Sequence, residues 1–179
     1  KDTLEAGKGL CNEAAVSVMV KEGPDLVREL MRLGTHFDKE AGKIHLTKEG
    51  GHSQRRVLHS DGDQTGREIA RSLQVAVKNH PKIKVAVGYA IDLITRDNGC
   101  LGVLVKIEDN YVIYNSKATV IATGGLGQIF RNTTNPEVAT ADGLAIAYRA
   151  GATMMNMGLI QFHPTALKME DKPTFSCYG

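Results

Sequence analysis

The sequence predicts an α/β fold that carries an inserted antiparallel layer. Apolar residues fall near the 3.6-residue helical period over residues 12–33 and 64–79, whereas residues 82–122 contain several β-branched runs. The last of these runs, 118–122, is almost entirely apolar or β-branched and leads directly into two glycines, as a buried central strand does. Helices on both sides of such a strand are typical of the α/β class.

The predicted helices have recognisable ends. Pro24 interrupts the first pattern and suits the first turn of a second helix, while Gly34 suits a left-handed C-terminal cap. Asp63 is the expected N-cap of the helix that begins at residue 64. A further short helix is expected over residues 142–150.

The β-rich region predicts a meander. Alternating or β-branched runs predict strands at 82–87, 90–95, 101–107, 111–114 and 118–122. The tripeptide Asp97-Asn98-Gly99 between the second and third of these is a hairpin-turn signal. We therefore expect an antiparallel insertion ahead of the buried strand.

Composition excludes several classes of protein. The 179 residues include 22 Lys plus Arg and 20 Asp plus Glu, and no basic patch with interleaved aromatics is present, which argues against a nucleic-acid partner. No apolar run is long enough to span a membrane. The three cysteines are far apart and form no CxxC motif, so we expect free thiols in a reducing, cytoplasmic setting.

The first cluster with chemical potential is the loop that begins Glu-Gly-Gly-His-Ser at residues 49–53. It brings a carboxylate, Glu49, close to His52, His59 and two arginines around a glycine hinge. A carboxylate can accept hydrogen bonds from an ammonium group, and guanidinium or imidazole groups can bind carboxylates. A solvated, self-paired loop explains the same pattern equally well. We expect no metal site, because no cysteine or regular histidine spacing accompanies the two histidines.

Three further motifs are weaker by themselves. The glycine run that follows residue 123 lies where ligands bind in open α/β sheets, but its spacing is not GxGxxG and a tight turn fits as well. Thr140 or Asp142 could cap the following helix, which the residues favour over a cofactor contact. Pro164 biases His163 towards an extended backbone, yet a lone histidine is usually structural.

Taken together and in this order, the motifs resemble the flavoprotein family that contains the L-aspartate oxidases and the flavin subunits of succinate dehydrogenase and fumarate reductase. The most specific is Glu49 before Gly-Gly-His, since the succinate and fumarate enzymes lack that glutamate. The other shared elements are Thr65-Gly66-Arg67, residues 122–125, Thr133-Thr134-Asn135-Pro136, Asp142-Gly143 and residues 161–165.

The resemblance implies a fold and a cofactor. Residues 1–156 would be the middle part of a doubly wound FAD-binding domain with an inserted antiparallel β-meander, and residues 157–179 the start of a capping domain. FAD would be bound without a covalent link. The residues implied in FAD binding are Val87, Ala122, Thr123, Gly124, Gly125, Asp142 and Gly143.

The resemblance also implies a reaction. Hydride transfer from the α-carbon of L-aspartate to the flavin would give iminoaspartate, with oxygen or fumarate as electron acceptor. This is the first step towards quinolinate and NAD, with a functional link to quinolinate synthase. Glu49 would orient the substrate amino group and His163 would bind a substrate carboxylate, as the catalytic pair. His52, Ser53 and Thr165 would be further substrate contacts.

Some positions depart from the family pattern. Ala141 stands where the family usually has glycine, and Gly158 where it usually has glutamate. The GxGxxG strand and a downstream arginine that the family uses are not in this sequence, so we expect the isolated chain to have no turnover. Two alternatives stay open: a flavin subunit of a succinate or fumarate enzyme, and a folded module without catalysis.

Overall fold

The computed structural model describes residues 1–62, 64–97 and 99–162, together with the backbone of two short paired strands at Ala166–Leu167 and Phe175–Ser176. The chain forms two compact units, Lys1–Val85 and Ala86–Gly179. Among the helices described, none combines the length and the apolar character that a membrane crossing requires.

The first unit contains three helices: α1 (Asp2–Ala6), α2 (Glu13–Arg32) and α3 (Thr65–Asn79). Helix α2 begins with a side-chain cap, because the Asn12 Oδ1 atom accepts the N–H of residue 15 at 3.0 Å. Helix α3 confirms the second predicted helix, although Asp63, its expected N-cap, lies outside the described residues.

The predicted break at Pro24 is wrong. Helix α2 is continuous for 20 residues with Pro24 inside it. A proline in a helix removes one N–H donor and crowds the residue before it. Here that residue is Gly23, which has no Cβ to meet the ring, and long helical segments on both sides keep their hydrogen bonds.

The end of α2 is as the sequence predicts. Gly34 has a φ of +95°, and its N–H donates to the carbonyl of Met31 at 3.0 Å. The Thr35 N–H donates to the carbonyl of Leu30, also at 3.0 Å. This pair of bonds is the Schellman arrangement, which turns the chain sharply towards the following loop.

The loop after α2 contains two short antiparallel strand pairs. Strand β1 (Lys39–Glu40) pairs with β2 (Lys43–Ile44), and β3 (Leu46–Thr47) pairs with β4 (Val57–Leu58). The second pair brings the two ends of residues 48–56 together, so that these residues form a closed loop. Such two-residue pairs could not be predicted from sequence, because they lack an extended apolar alternation.

Buried hydroxyl groups join this loop region to α3. Thr35 and Ser72 are both almost fully buried, and their oxygens lie 2.6 Å apart. Ser60 is also buried; its hydroxyl donates to the carbonyl of His36 at 2.6 Å, and its N–H donates to the Thr65 Oγ1 atom. Since the hydroxyls of Thr35, Ser60 and Ser72 all have partners, these contacts join the loop to α3 at little cost in desolvation.

A charged cluster strengthens the same junction. The Glu68 carboxylate accepts the N–H of His36 at 2.8 Å and two guanidinium bonds from Arg71 at 2.6 and 2.7 Å. Arg71 also donates to the carbonyl of Gly34 at 2.8 Å. The Arg71 bonds, and after them the His36 N–H, lower the pKa of Glu68 from 4.5 to about 2.

The second unit contains the predicted β-meander. Strands β5 (Tyr89–Arg96), β6 (Gly99–Ile107) and β7 (Asn110–Asn115) form an antiparallel sheet in that order. Asp97 directly follows β5 and has a φ of +49°, while Asn98 of the predicted hairpin turn lies outside the described residues.

Helix α4 (Asp142–Arg149) confirms the predicted short helix and packs on β5. Its Arg149 donates to Asp92 at 3.0 Å and to the carbonyl of Ile91 at 2.9 Å. Ile146 of α4 is among the few fully buried apolar residues of the described chain. A 3₁₀ turn at Gly127–Ile129 precedes the helix.

Two predicted strands, at 82–87 and 118–122, have no sheet partner within the described part of the chain, so the prediction is wrong there as regards pairing. Both Val87 and Val120 are 88% exposed. Local sequence can make a segment suitable for a strand, but a strand exists only when a neighbour accepts and donates its backbone hydrogen bonds. Within the described residues, neither segment belongs to a sheet.

The Glu68 cluster predicts a pH-dependent stability. Because the pKa of Glu68 is lowered on folding, its contribution is present above about pH 4.5 and is lost as the pH falls towards about 2. Glu68→Gln should lower the melting temperature at pH 7 and flatten its decline between pH 5 and 2.5. Glu22→Gln, at an exposed position of α2, is the control and should change neither. An unchanged decline in Glu68→Gln would contradict this account of the cluster.

Candidate functional site

Residues 48–56 form a loop that leaves β3 and returns through β4. Gly51 has a φ of +79°, and a Cβ atom at Gly50 or Gly51 would meet nothing within 4 Å. The His52 N–H donates to the carbonyl of Glu49 at 3.2 Å, which closes the turn. The two glycines therefore make a tight, open bend with Glu49 on one side and Ser53 on the other.

Asp2 holds the Ser53 side of this bend. Its Oδ2 atom accepts the N–H of Ser53 at 2.6 Å and the hydroxyl of Ser53 at 2.9 Å, and it pairs with Arg56 at 3.1 Å. The Asp2 side chain is only 10% exposed. The Ser53 N–H, followed by the Ser53 hydroxyl, lowers the pKa of Asp2 below its usual value, with a smaller contribution from Arg56.

Glu49 is bound differently from Asp2. Its Oε1 atom lies 3.1 Å from the Nε2 atom of His59 and accepts the hydroxyl of Thr47 at 3.3 Å. Its Oε2 atom has no hydrogen-bond partner among the described residues, and the side chain is 51% exposed. One oxygen of Glu49 is thus fixed, and the other is available to a cationic ligand.

The other predicted substrate residues are placed unequally. The Nδ1 atom of His52 is buried and, within the described chain, lacks a hydrogen-bond partner, which is the state of a group that a ligand could satisfy. The Ser53 hydroxyl already donates to Asp2, so its oxygen can only accept from a ligand. His163 and Thr165 lie outside the described residues.

The roles of Asp2, Thr47 and His59 were not predicted from sequence. Asp2 is 51 positions from Ser53, and no local pattern connects them. Thr47 could have been found, because residues two apart on an extended segment point to the same side, and Thr47 precedes Glu49 by two.

The predicted cofactor segment, residues 122–125, lies in the second unit. Its residues are exposed, and Gly124 has a φ of +78° with open space where a Cβ would be. The N–H groups of these four residues donate no hydrogen bond to any described residue. Exposed amides next to missing Cβ atoms allow a ligand to approach the backbone closely.

Gly143 brings α4 against this segment. A Cβ atom at Gly143 would lie 1.9 Å from the Thr123 Oγ1 atom and 2.8 Å from the Ile121 Cγ2 atom. Only glycine therefore permits the contact. It places Asp142, the first residue of α4, beside the proposed cofactor segment.

The expectation that Thr140 or Asp142 caps α4 is wrong. The N-cap is Ala141, in the left-handed conformation with a φ of +68°, and no side chain bonds to the first helical amides. The Thr140 hydroxyl instead donates to the Asp142 carboxylate, so the two predicted caps bond to each other and not to the helix. Asp142 retains an oxygen that no described residue engages.

A cavity of about 480 Å³ lies in the second unit between residues 126–135 and residues 160–162. Its wall combines the side chains of Thr133, Thr134 and Asn135 with Phe130 and Phe162, whose rings meet edge to face at 5.3 Å.

In the described residues, no group of three or more His, Cys, Asp and Glu side chains is arranged to hold a metal ion.

Comparison with known proteins identifies the family. The profile described as "FAD binding domain" matches residues 1–176. The chain belongs to this family. Its exposed amides at 122–125 and its open glycines fit the cofactor for which the family is named.

The curated relatives confirm the resemblance seen in the motifs. The chain is 49% identical over 181 aligned residues to "L-aspartate oxidase 2-a, chloroplastic" of Nicotiana tabacum, covering 97% of this chain and 28% of the relative. It is 46% identical to "L-aspartate oxidase" of Streptomyces coelicolor, covering 93% of this chain and 30% of the relative. The chain thus spans less than a third of the length of these relatives.

Solved structures confirm the predicted fold class. The chain matches Sdh1 of Mycobacterium smegmatis in its apo form with a TM-score of 0.83 and 36% identity, over 92% of this chain and 30% of that one. It matches the E. coli quinol fumarate reductase FrdA with a TM-score of 0.79 and 26% identity, over 83% and 26% of the two chains. The inserted antiparallel sheet is therefore part of a flavoprotein fold.

The left-handed Ala141 predicts a stabilising substitution. A non-glycine residue in this conformation is unfavourable by about 1–2 kcal/mol, and the extra freedom of glycine in the unfolded chain offsets about 0.4–1 kcal/mol of that. Ala141→Gly should therefore raise the free energy of unfolding by about 0.5–1 kcal/mol in urea titrations.

Ala145→Gly, four residues later inside α4, is the matched control and should lower the same free energy by about 0.5–1 kcal/mol. Equal destabilisation by both substitutions would contradict the account of Ala141.

Proposed function

We propose that this chain supplies the substrate-ammonium side of an FAD-dependent L-aspartate oxidase. The observation that carries the proposal is the Glu49 carboxylate, with one oxygen fixed by two side chains and the other without a partner among the described residues. An acidic group presented in this way suits a substrate ammonium, which can donate up to three hydrogen bonds.

The charges around Glu49 support a substrate that carries both signs. His52, Arg55 and Arg56 are nearby in the chain, so the loop has several groups able to attract carboxylates. A dicarboxylate without an ammonium would find Glu49 repulsive, whereas L-aspartate would pair with it. Glu49 would therefore select aspartate over succinate or fumarate through a single charge.

The proposed cofactor is FAD. The amides of Ala122 to Gly125, together with Asp142, Gly143 and Val87, are the groups we assign to it. The exposed backbone and the absence of Cβ atoms support this assignment. When bound, FAD would supply the acceptor for the hydride that leaves the α-carbon of L-aspartate, and the product would be iminoaspartate.

Further roles follow from the family resemblance alone. His163 would bind a substrate carboxylate, with Thr165 as a further contact. Residues 1–156 would belong to the FAD-binding domain, and the capping domain would begin at residue 157. Oxygen or fumarate would be the final electron acceptor.

The proposed product defines the wider role. Iminoaspartate would feed quinolinate and NAD biosynthesis, which gives the functional link to quinolinate synthase. The widely spaced cysteines favour a reducing compartment such as the cytoplasm.

A succinate or fumarate flavin subunit is the second candidate, because solved structures of that kind match the chain. Glu49 argues against it, and so does the higher identity to the proteins named L-aspartate oxidase, 39–49% against 26–36%.

The test is Glu49→Gln in the FAD-loaded protein expressed from its complete gene. Loss of a hydrogen bond to a charged group corresponds to about 1.5–3 kcal/mol, so kcat/KM for L-aspartate should fall about 10- to 100-fold. The inhibition constant of succinate should stay the same or decrease, because the repulsive charge is gone.

Glu40→Gln is the control, since Glu40 is an exposed glutamate of the same region whose carboxylate, among the described residues, pairs with His45 at 3.8 Å. The assigned role of Glu49 would be wrong if aspartate oxidation were unchanged in Glu49→Gln. A wild-type protein whose flavin is not reduced by L-aspartate would refute the proposed function itself.

A further inference from the structure

We propose that His59 is a positioning residue for substrate selection, acting through Glu49. Its imidazole fixes one oxygen of the Glu49 carboxylate so that the other is presented to the substrate ammonium. This inference rests on the proposed function of Glu49 and adds a second residue to the determinants of aspartate specificity.

The His59 ring is held at both nitrogens. Nδ1 lies 3.0 Å from the carbonyl oxygen of Gly62, and since a carbonyl can only accept, Nδ1 is the donor. Nε2 lies 2.8 Å from the Thr47 hydroxyl and 3.1 Å from the Glu49 Oε1 atom. Because the carboxylate also only accepts, Nε2 must carry a proton as well, so the ring makes both contacts as the imidazolium. The ring is therefore fixed in its plane before it contacts the carboxylate.

The backbone of His59 is also fixed. His59 directly follows strand β4, and its carbonyl accepts the N–H of Asp38 at 2.9 Å. Its side chain is 28% exposed, against 51% for Glu49. His59 is thus the more rigid partner of the pair, anchored to the β3–β4 and loop framework.

Glu49, in contrast, has little to orient it except these contacts. It lies at the start of a glycine bend where a Cβ atom on either glycine would meet no neighbour, and its side chain has three rotatable bonds. Without His59, the one described side chain that would still restrain the carboxylate is Thr47, whose hydroxyl lies 3.3 Å from Oε1. A substrate would then have to order Glu49 on binding, which weakens affinity.

The contact between His59 and Glu49 orients the carboxylate and contributes little to the stability of the folded protein. Ion pairs between exposed groups contribute little to the folded state, because solvent screens them. The structural hold on this loop comes from Asp2 and Ser53, on the other side of the bend. Removing the His59 ring should therefore change substrate selection more than folding.

The experiment uses the FAD-loaded protein expressed from its complete gene. His59→Ala should raise KM for L-aspartate about 10-fold while kcat changes less than about threefold and the inhibition constant of succinate is unchanged. His59→Gln, whose amide can donate near the position of Nε2, should recover most of the aspartate affinity. His45→Ala, which removes an imidazole paired with exposed Glu40, is the matched control and should behave as wild type.

A double-mutant cycle decides whether His59 acts through Glu49. His59→Ala should have no further effect on aspartate affinity once Glu49→Gln is present. Additive losses, or equal weakening of aspartate and succinate by His59→Ala, would overturn the inference. Should His59→Ala fail to fold, Thr47→Val removes the second donor to the same Glu49 oxygen, and KM for L-aspartate should again rise while the inhibition constant of succinate stays the same. An unchanged KM, or an equal rise in the inhibition constant of succinate, would overturn the inference.

Different results would overturn the role of His59 and the proposed function. If wild-type protein oxidises L-aspartate and Glu49→Gln impairs it, but the cycle with His59 is additive, only the role of His59 is overturned. If L-aspartate does not reduce the bound flavin of the wild type, or Glu49→Gln has no effect, the proposed function or the role of Glu49 fails, and the inference about His59 fails with it.

Discussion

The hydrogen bonds from Ser53 to Asp2 are the contacts on which the candidate substrate loop depends. They join Asp2, the first residue of α1, to the far side of the exposed bend at Gly50 and Gly51. Asp2 is almost buried and is bound by Ser53 and Arg56, so its negative charge is already paired within the protein. Glu49, across the same bend, keeps one oxygen without a partner in the described structure. One carboxylate therefore shapes the loop and leaves the other for a ligand.

The second unit uses glycine for a related purpose. Gly143 allows α4 to approach Thr123, and Gly124 leaves the neighbouring backbone open. The consequence is a short stretch of exposed amides beside the carboxylate of Asp142. In both units, glycines without Cβ atoms leave backbone amides open to a ligand, and hydrogen bonds of neighbouring residues hold the backbone around them.

Much of the fold could be predicted because its signals are local. The β-meander and the cap at Gly34 are set by residues a few positions apart. That residues 82–87 and 118–122 have no sheet partner in the described structure could not be predicted, because pairing depends on a neighbouring strand that composition does not reveal. For the site, sequence singled out Glu49, whereas Asp2 and His59 became meaningful only when distant residues were brought together.

The central claim is that Glu49 receives the ammonium of an amino dicarboxylate while His59 holds its other oxygen. The most direct measurement is a crystal structure of the protein from its complete gene, with reduced FAD and L-aspartate under anaerobic conditions so that substrate is not consumed. The account predicts the aspartate nitrogen within about 2.7–3.2 Å of one Glu49 oxygen, with His59 still bound to the other. An aspartate nitrogen beyond hydrogen-bond distance of Glu49 would contradict it.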